Sequence, residues 1–440
     1  MSIKTNYIDC PSENLDLFCQ PIVQSGIDYF KDVEYFPQTA ALKSSKQTVV
    51  FDIPAQPDHM IDLNHSYFVS TLSIQRSDGA DIGTTITENA GVINNIGQSM
   101  WKQIELVLND TPVTESNGMY AYQSYFETIL TFDETRAKNY LRMSNWVSDT
   151  IGKQGAGFPM TAAGTKNAGL NARSAPFDGS DKVKVLTKPH VNICNQEKYL
   201  LPGIRLQWRL SPNSNTFCLM SKKGGTNPDP QLYIHEVKLV LRHIHVKDSI
   251  MQGIERTLMK TSANYSLCQP HMASYLIPSQ TTSWIQDNVF NGKIPNRLFF
   301  AIVDNSAYNG STEGNPFNFK HGTASAIQVT VDNQEVTPPL RLNYDDNDYF
   351  DAYGRLISTL NNSPSLIDYE TFEQGSTIYG FDLTPKGNCE DEQYLLKREG
   401  NLRISINFGK AVDSLMNIVI LGEFDRVIQI DAHKNVIRDW

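Results

Sequence analysis

The chain has no GxSxG nucleophile elbow and no GxxxxGK[ST] phosphate loop. Acyl transfer by the first and nucleotide hydrolysis by the second are therefore excluded. Cysteine is sparse. The six, at positions 10, 19, 194, 218, 268 and 389, form no CxxC pair, which excludes a zinc ribbon or a paired redox thiol. Reduced thiols are expected rather than a disulfide framework. Long apolar runs are missing too. The longest, residues 298–303, is far short of the roughly 20 residues that carry a helix across a bilayer. The opening MSIKTNYIDC lacks the apolar stretch of a signal peptide. No membrane span is expected, and synthesis in the cell interior is.

A basic field is absent as well. The net charge is −10, and the first 46 residues hold four Lys, no Arg and six acids. Nothing here attracts a phosphate backbone over long range. Neither a basic genome-binding arm nor sequence-specific nucleic-acid binding is expected.

What remains of possible chemistry is scattered. His243-Ile244-His245 sets two imidazoles on one strand face, with no third ligand nearby in the sequence, so packing is the simpler role. Asp345-Asp346-Asn347-Asp348, with Asp351, lacks the glycine and terminal glutamate of an EF-hand. Placed before a helix, these carboxylates are expected to cap free N–H groups. Gly224-Gly225 beside Lys222-Lys223 has no strand leading into it, which argues against a phosphate cradle. Arg205 and Arg209 flank Trp208, but the tryptophan falls on the apolar face and the arginines on the other, against base stacking. No catalytic, cofactor-binding or metal-ligating residue is assigned, and no cofactor is expected. A glycosidase carboxylate pair stays open, because its separation is spatial.

Regular alternation is what the chain does have. In residues 100–132, Ile104, Leu106 and Leu108 alternate with Gln103, Glu105 and Val107, the period of a strand. Asn109-Asp110 suits a tight turn, and Val113-Thr114 begins a return. Met119, Tyr122, Phe126 and Ile129 then fall at helical spacing. The unit recurs: residues 327–337 match 104–114 at 327 − 104 = 223, and a helix carrying Tyr353 stands where Tyr125 stood. Further echoes keep the order. Leu276-Ile277-Pro278 answers Asp52-Ile53-Pro54 at 277 − 53 = 224, residues 297–304 answer the strand of 66–75, Tyr394-Leu395-Leu396 answers Tyr199-Leu200-Leu201, and residues 401–408 answer the Trp208 strand at 402 − 204 = 198.

About eight short strands per half predict an all-β chain of two tandem eight-stranded jelly rolls with short helices in the connections. The boundaries read as an arm 1–46, a first barrel 47–246, a linker helix 247–264 capped by Asp248, a second barrel 265–430 and a tail 431–440. The arm has no strand pattern, yet Leu15, Leu17, Phe18, Tyr29, Tyr35 and Phe36 make it apolar. It is expected to lie outside both barrels as a strap whose loss weakens assembly. Residues 151–181, rich in small residues, are expected to form an exposed surface loop.

At this point a family resemblance enters. Glu13-Asn14-Leu15-Asp16-Leu17-Phe18, Met60-Ile61-Asp62-Leu63, residues 104–130, Gly292-Lys293-Ile294-Pro295, Val303-Asp304-Asn305, Phe381-Asp382-Leu383-Thr384-Pro385 and Gly400-Asn401-Leu402-Arg403 resemble the major capsid protein of the Maverick/Polinton–adintovirus group. So do Tyr308-Asn309-Gly310-Ser311 and Asn315-Pro316-Phe317-Asn318-Phe319-Lys320. The resemblance implies a double jelly-roll, hexon-type subunit of the virion, and not an enzyme. It implies pseudo-hexameric homotrimers that tile an icosahedral shell around double-stranded DNA, meeting neighbouring trimers, vertex (penton) proteins and minor capsid proteins. The alternative is a two-domain jelly-roll carbohydrate-binding protein or glycosidase.

Overall fold

The computed structural model describes residues 24–38, 47–82, 90–155, 167–221, 230–387, 394–395 and 397–438. Sixteen strands build two barrels. The first uses β1 (Ile27–Tyr35), β2 (Val49–Ile53), β3 (Met60–Gln75), β4 (Trp101–Leu108), β5 (Thr111–Pro112), β6 (Val183–Thr187), β7 (Leu206–Pro212) and β8 (Gln231–Val246). The second uses β9 (Ala263–Ile277), β10 (Ser283–Gln286), β11 (Arg297–Asp304), β12 (Ala324–Val331), β13 (Gln334–Glu335), β14 (Ile378–Asp382), β15 (Leu402–Phe408) and β16 (Met416–Ile430). The first half pairs β1–β8–β3–β6 and β2–β7–β4–β5, and the second pairs β9–β16–β11–β14 and β10–β15–β12–β13. Adding eight to each label converts one half into the other. This antiparallel order is the jelly roll. Among the helices are α1 (Tyr120–Thr131), α2 (Ala168–Ser174), α3 (Asp248–Leu258), α4 (Phe350–Thr359) and α5 (Tyr369–Glu373).

Alternation drives the strands. On β7, Leu206, Trp208 and Leu210 are fully buried while Arg209 is exposed. Trp208 meets Phe68 edge to face at 5.4 Å across the first barrel, and Phe300 meets Tyr379 at 5.3 Å in the second. The hairpins after β4 and β12 are equivalent. Asn109 and Asp110 have φ of 43° and 66°, and Asp332 and Asn333 have 51° and 63°. Two consecutive left-handed residues give a turn whose twist matches that of the strands.

Ile104 and Ile327 are both the fourth residue of their strands, β4 and β12. Their partners refine the expected offset. Leu108 pairs with Leu206 and Val331 with Leu402, so β15 follows β7 at 402 − 206 = 196, not 198. A slip of two keeps every side chain on its face, so alternation alone does not reveal it. The match of Ile277 to Ile53 is overturned: Ile53 ends β2, whereas Ile277 ends β9, the counterpart of β1.

The larger correction concerns the arm. Residues 27–35 are a barrel strand, paired with β8 from Ile27↔Val246 to Tyr35↔Leu239. Its side chains are mostly exposed on both faces, so there was no alternation to read. Charge holds it instead. Asp32 receives Arg242 at 2.9 and 3.2 Å, and Glu34 receives Lys238 at 2.6 Å. Deleting residues 1–39 would therefore remove β1, not merely a strap. Leu15, Leu17 and Phe18 lie outside the described residues.

Residues 151–181 are not wholly a surface loop. Asn167 caps α2, its side chain accepting from the Leu170 N–H. Leu170 and Phe177 are fully buried, as is Arg173. The segment's many small residues concealed the few that anchor it; residues 156–166 lie outside the described ones. One smaller expectation also changes. Asp248 is inside α3, and Lys247 stands at the cap without a side-chain bond. Of residues 182–194 only β6 is strand, and Asn192–Cys194 is a 3-10 turn. Within 213–230, Asn215–Cys218 is helical, and Leu219–Met220 pairs with Gly91–Val92. No helix among the described residues is long and apolar enough to cross a membrane.

Candidate functional site

The seam between the barrels carries the densest chemistry. Helix α1 follows the β4–β5 hairpin and turns Tyr122, Tyr125 and Phe126 inward. Tyr125 stacks on Phe317 from the second half, with centroids 4.0 Å apart and planes 4° from parallel. Tyr122 stacks on Tyr308 at 5.6 Å, and Phe126 meets Phe319 at 5.3 Å. Trp146 and Phe217 close the block around Tyr125 and Tyr122. Phe126, Phe317 and Phe319 are at most 1% exposed. Hydrogen bonds add to the seam. Asn315 donates to the Gln154 carbonyl at 2.9 Å, Asn109 to the Lys434 carbonyl at 2.8 Å, and the Leu366 N–H to the Ile129 carbonyl at 2.9 Å. Burial pushes the Tyr125 phenol far above its ordinary range.

Beside this block lies a cavity of about 870 Å³, lined from both halves by Glu127, Lys188, His190, Cys268, Arg297 and Glu423, among others. His190 bonds Glu127 at 2.6 Å, and Arg297 donates to Glu423 at 2.6 Å. Burial raises the Glu423 carboxyl against the opposing pull of Arg297. Cys268 opens into the cavity, yet its thiol is surrounded. Burial first, and then the charge of Glu423, push it well above the ordinary thiol range. A thiol so raised is a poor nucleophile. Glu423 faces the Arg297 guanidinium and Glu127 the His190 imidazole, so the cavity holds one carboxylate–guanidinium ion pair from the second half and one histidine–carboxylate hydrogen bond from the first. Cys194 and Cys218 are buried free thiols.

The residues weighed from sequence sit as follows. Trp208 is in the core, while exposed Arg205 grips Asp52 through two bonds of 2.8 Å. That grip holds Asp52 below the usual carboxylate range. Asp345 pairs with Lys410 at 2.7 Å, and Asp346 accepts from Asn343 at 2.6 Å. Helix α4 has no side-chain cap, and only Asp351 lies in its first turn. The capping role is thus not theirs. Lys222, Lys223, Gly224 and Gly225 lie outside the described residues. Among the described residues no group of three His, Cys, Asp or Glu is placed to hold a metal.

His243 and His245 belong to the latch on β1. His243 bonds the Tyr35 hydroxyl at 3.1 Å, and His245 stacks on Tyr29 at 4.9 Å and faces Asp28 at 3.3 Å. His59 lies 6.0 and 5.4 Å from the two rings. Burial holds His243 below its ordinary pKa, helped by His59 and Lys31. The unfolded chain therefore takes up this proton first. Stability is full above the ordinary histidine value near 6.5 and is lost as pH falls below it. Acid should loosen β1 specifically. At pH 5.5, amide exchange along β1 should accelerate relative to pH 7.5, after correction for the intrinsic pH dependence, while β16 stays protected. His243→Gln should abolish most of the difference. Equal acceleration in both barrels would refute the assignment.

No family model matches the sequence. The chain is 26% identical over 394 residues to an uncharacterised Caenorhabditis elegans protein, F54H12.2, a match spanning 86% of this chain and 90% of that one. A chain in the 3.5 Å cryo-EM structure of the Sputnik virophage superposes with a TM-score of 0.67, at 11% identity, over 100% of this chain and 94% of its own. The mavirus major capsid protein superposes with a TM-score of 0.55, at 8% identity, over 99% and 95%. At such identities the likeness is one of fold, and the fold of this chain is the double jelly roll of viral capsid proteins.

Proposed function

We propose that the chain is a major capsid protein of the Maverick/Polinton kind, a virion component whose work is self-assembly. The observation that carries this reading is the repeated strand order in two barrels fixed to each other by an aromatic seam. A rigid subunit with two near-equivalent barrels gives a threefold assembly six similar edges, which a single barrel does not. The reading takes the units as a first barrel reaching residue 246, a linker up to residue 262, a second barrel from Ala263 to Ile430, where the expected boundary was 265, and a tail 431–440 in which Val436–Arg438 pairs back on β16. Homotrimers would tile an icosahedral shell around double-stranded DNA and meet vertex and minor capsid proteins.

Light scattering on the purified chain should give about 150 kDa, three times its 49.5 kDa, and negative-stain images should show hexagonal outlines. One observation favours a second reading. Glu127 and Glu423 share a cavity large enough for a sugar, as a jelly-roll glycosidase would need. A stable monomer that hydrolyses or binds oligosaccharides, and loses that with Glu423→Gln, would establish it over assembly.

A further inference from the structure

In the second barrel a ladder of rings runs from the core to the surface. His321 stacks on Tyr344 at 4.0 Å, Tyr344 on Tyr349 at 5.6 Å, and Tyr349 on Tyr369 at 4.8 Å, all within 22° of parallel. The inner end is satisfied, since the Tyr344 and Tyr379 hydroxyls bond at 2.8 Å. The outer end is open. Tyr369 on α5 is 37% exposed, and Phe350, 6.3 Å away at the start of α4, is 66% exposed. Two large rings side by side in water are unusual on a face that serves only solubility.

Their surroundings are mostly acidic; besides Lys410 there is Arg355, one turn beyond Asp351 on α4, which interacts with that carboxylate while donating to Thr337 and the Pro338 carbonyl. Asp345 is neutralised by Lys410. Asp348, Asp351, Asp368, Glu370 and Glu373 form no ion pair among the described residues. They are close to the rings: Glu373 and Glu370 act on the Tyr349 phenol, which burial chiefly pushes up to about 12, and Asp368 acts on Tyr353. Ring faces carry negative quadrupole density, so rings and carboxylates favour the same ligand charge. Nucleic acid and anionic membranes are repelled. A neutral glycan gains nothing from the surplus charge.

We propose that this surface docks an extended basic segment of a partner polypeptide, with arginine side chains laid over Phe350 and Tyr369 and paired to Asp351 and Glu370. Guanidinium stacks on rings and bonds carboxylates at once, which an ammonium does less well. The protein already makes such a contact, with the Arg242 guanidinium 4.6 Å from the Phe30 ring centre. The proposal does not depend on the capsid reading.

The test uses the full chain and a fluorescein-labelled Gly/Ser peptide carrying four arginines, read by fluorescence anisotropy at low salt. Phe350→Ser with Tyr369→Ser leaves the charge unchanged and should weaken binding about tenfold. Phe350→Ser alone, at a site too exposed to threaten folding, should weaken it severalfold. Asp351→Asn with Glu370→Gln should weaken binding and flatten its salt dependence. Equal binding by the wild type and the ring variants would overturn the proposal, because diffuse attraction to an acidic protein would then explain everything. Displacement of the peptide by a neutral oligosaccharide would also overturn it, in favour of a glycan surface.

Discussion

Phe317→Ala is expected to destabilise the protein by about 3–5 kcal/mol, the cost of emptying a fully buried phenylalanine site. The residue is 1% exposed and touches Tyr122, Tyr125 and Phe217 at once. Its parallel stack on Tyr125 adds about 0.5–1.5 kcal/mol beyond buried area. The effect should also be qualitative. Phe317 belongs to the second half and its ring partners to the first, so losing it weakens the joint more than either barrel. Urea unfolding monitored by fluorescence should shift to lower midpoint and split into two transitions. Phe350→Ala removes the same ring from a site 66% exposed, and should cost under about 0.5 kcal/mol. A double-mutant cycle between Tyr125→Leu and Phe317→Leu isolates the stack. If Phe317→Ala unfolds within 1 kcal/mol of wild type, the seam is not what joins the halves.

The barrels were legible because burial on one strand face writes itself as alternation. Ile104, Leu106 and Leu108 announced β4, and their echo at Ile327 announced β12. The paired left-handed residues of each hairpin were visible as Asn-Asp and Asp-Asn. What stayed hidden depended on partners far along the chain. Tyr125 and Phe317 are 317 − 125 = 192 residues apart, and a helix with an aromatic face does not say which barrel will cover it. β1 was missed for the opposite reason. An edge strand held by Asp32 and Glu34 has little core face, so its pattern resembled a polar arm. The offset of 198 against 196 shows a third limit. Period-two patterns fix the face of a strand and leave its register to the turn.

The buried ion pair of Arg173 with Asp149 shows how a segment rich in small residues can be anchored. Arg173 is fully buried, and its guanidinium donates to Asp149 at 2.5 Å and to the Val92 carbonyl at 2.9 Å. One terminal nitrogen has no partner among the described residues. Asp149 also accepts from Asn167 at 2.7 Å, the residue that caps α2. The pair thus ties α2 to the strand at Val92 and to the seam. Taking both charges out of water is costly, and the attraction between them little more than offsets it. Breaking the pair is another matter. Asp149→Ala leaves a guanidinium buried without a counter-charge, and should cost about 3–5 kcal/mol. Arg173→Met should cost less, because Asp149 keeps Asn167. The double variant Asp149→Leu with Arg173→Met should be markedly more stable than the sum of the singles, since no charge is stranded. Urea midpoints of the four proteins measure this directly. Additive losses, or an Asp149→Ala protein within 1 kcal/mol of wild type, would mean that the pair is solvated and the segment is held by Leu170 and Phe177 alone.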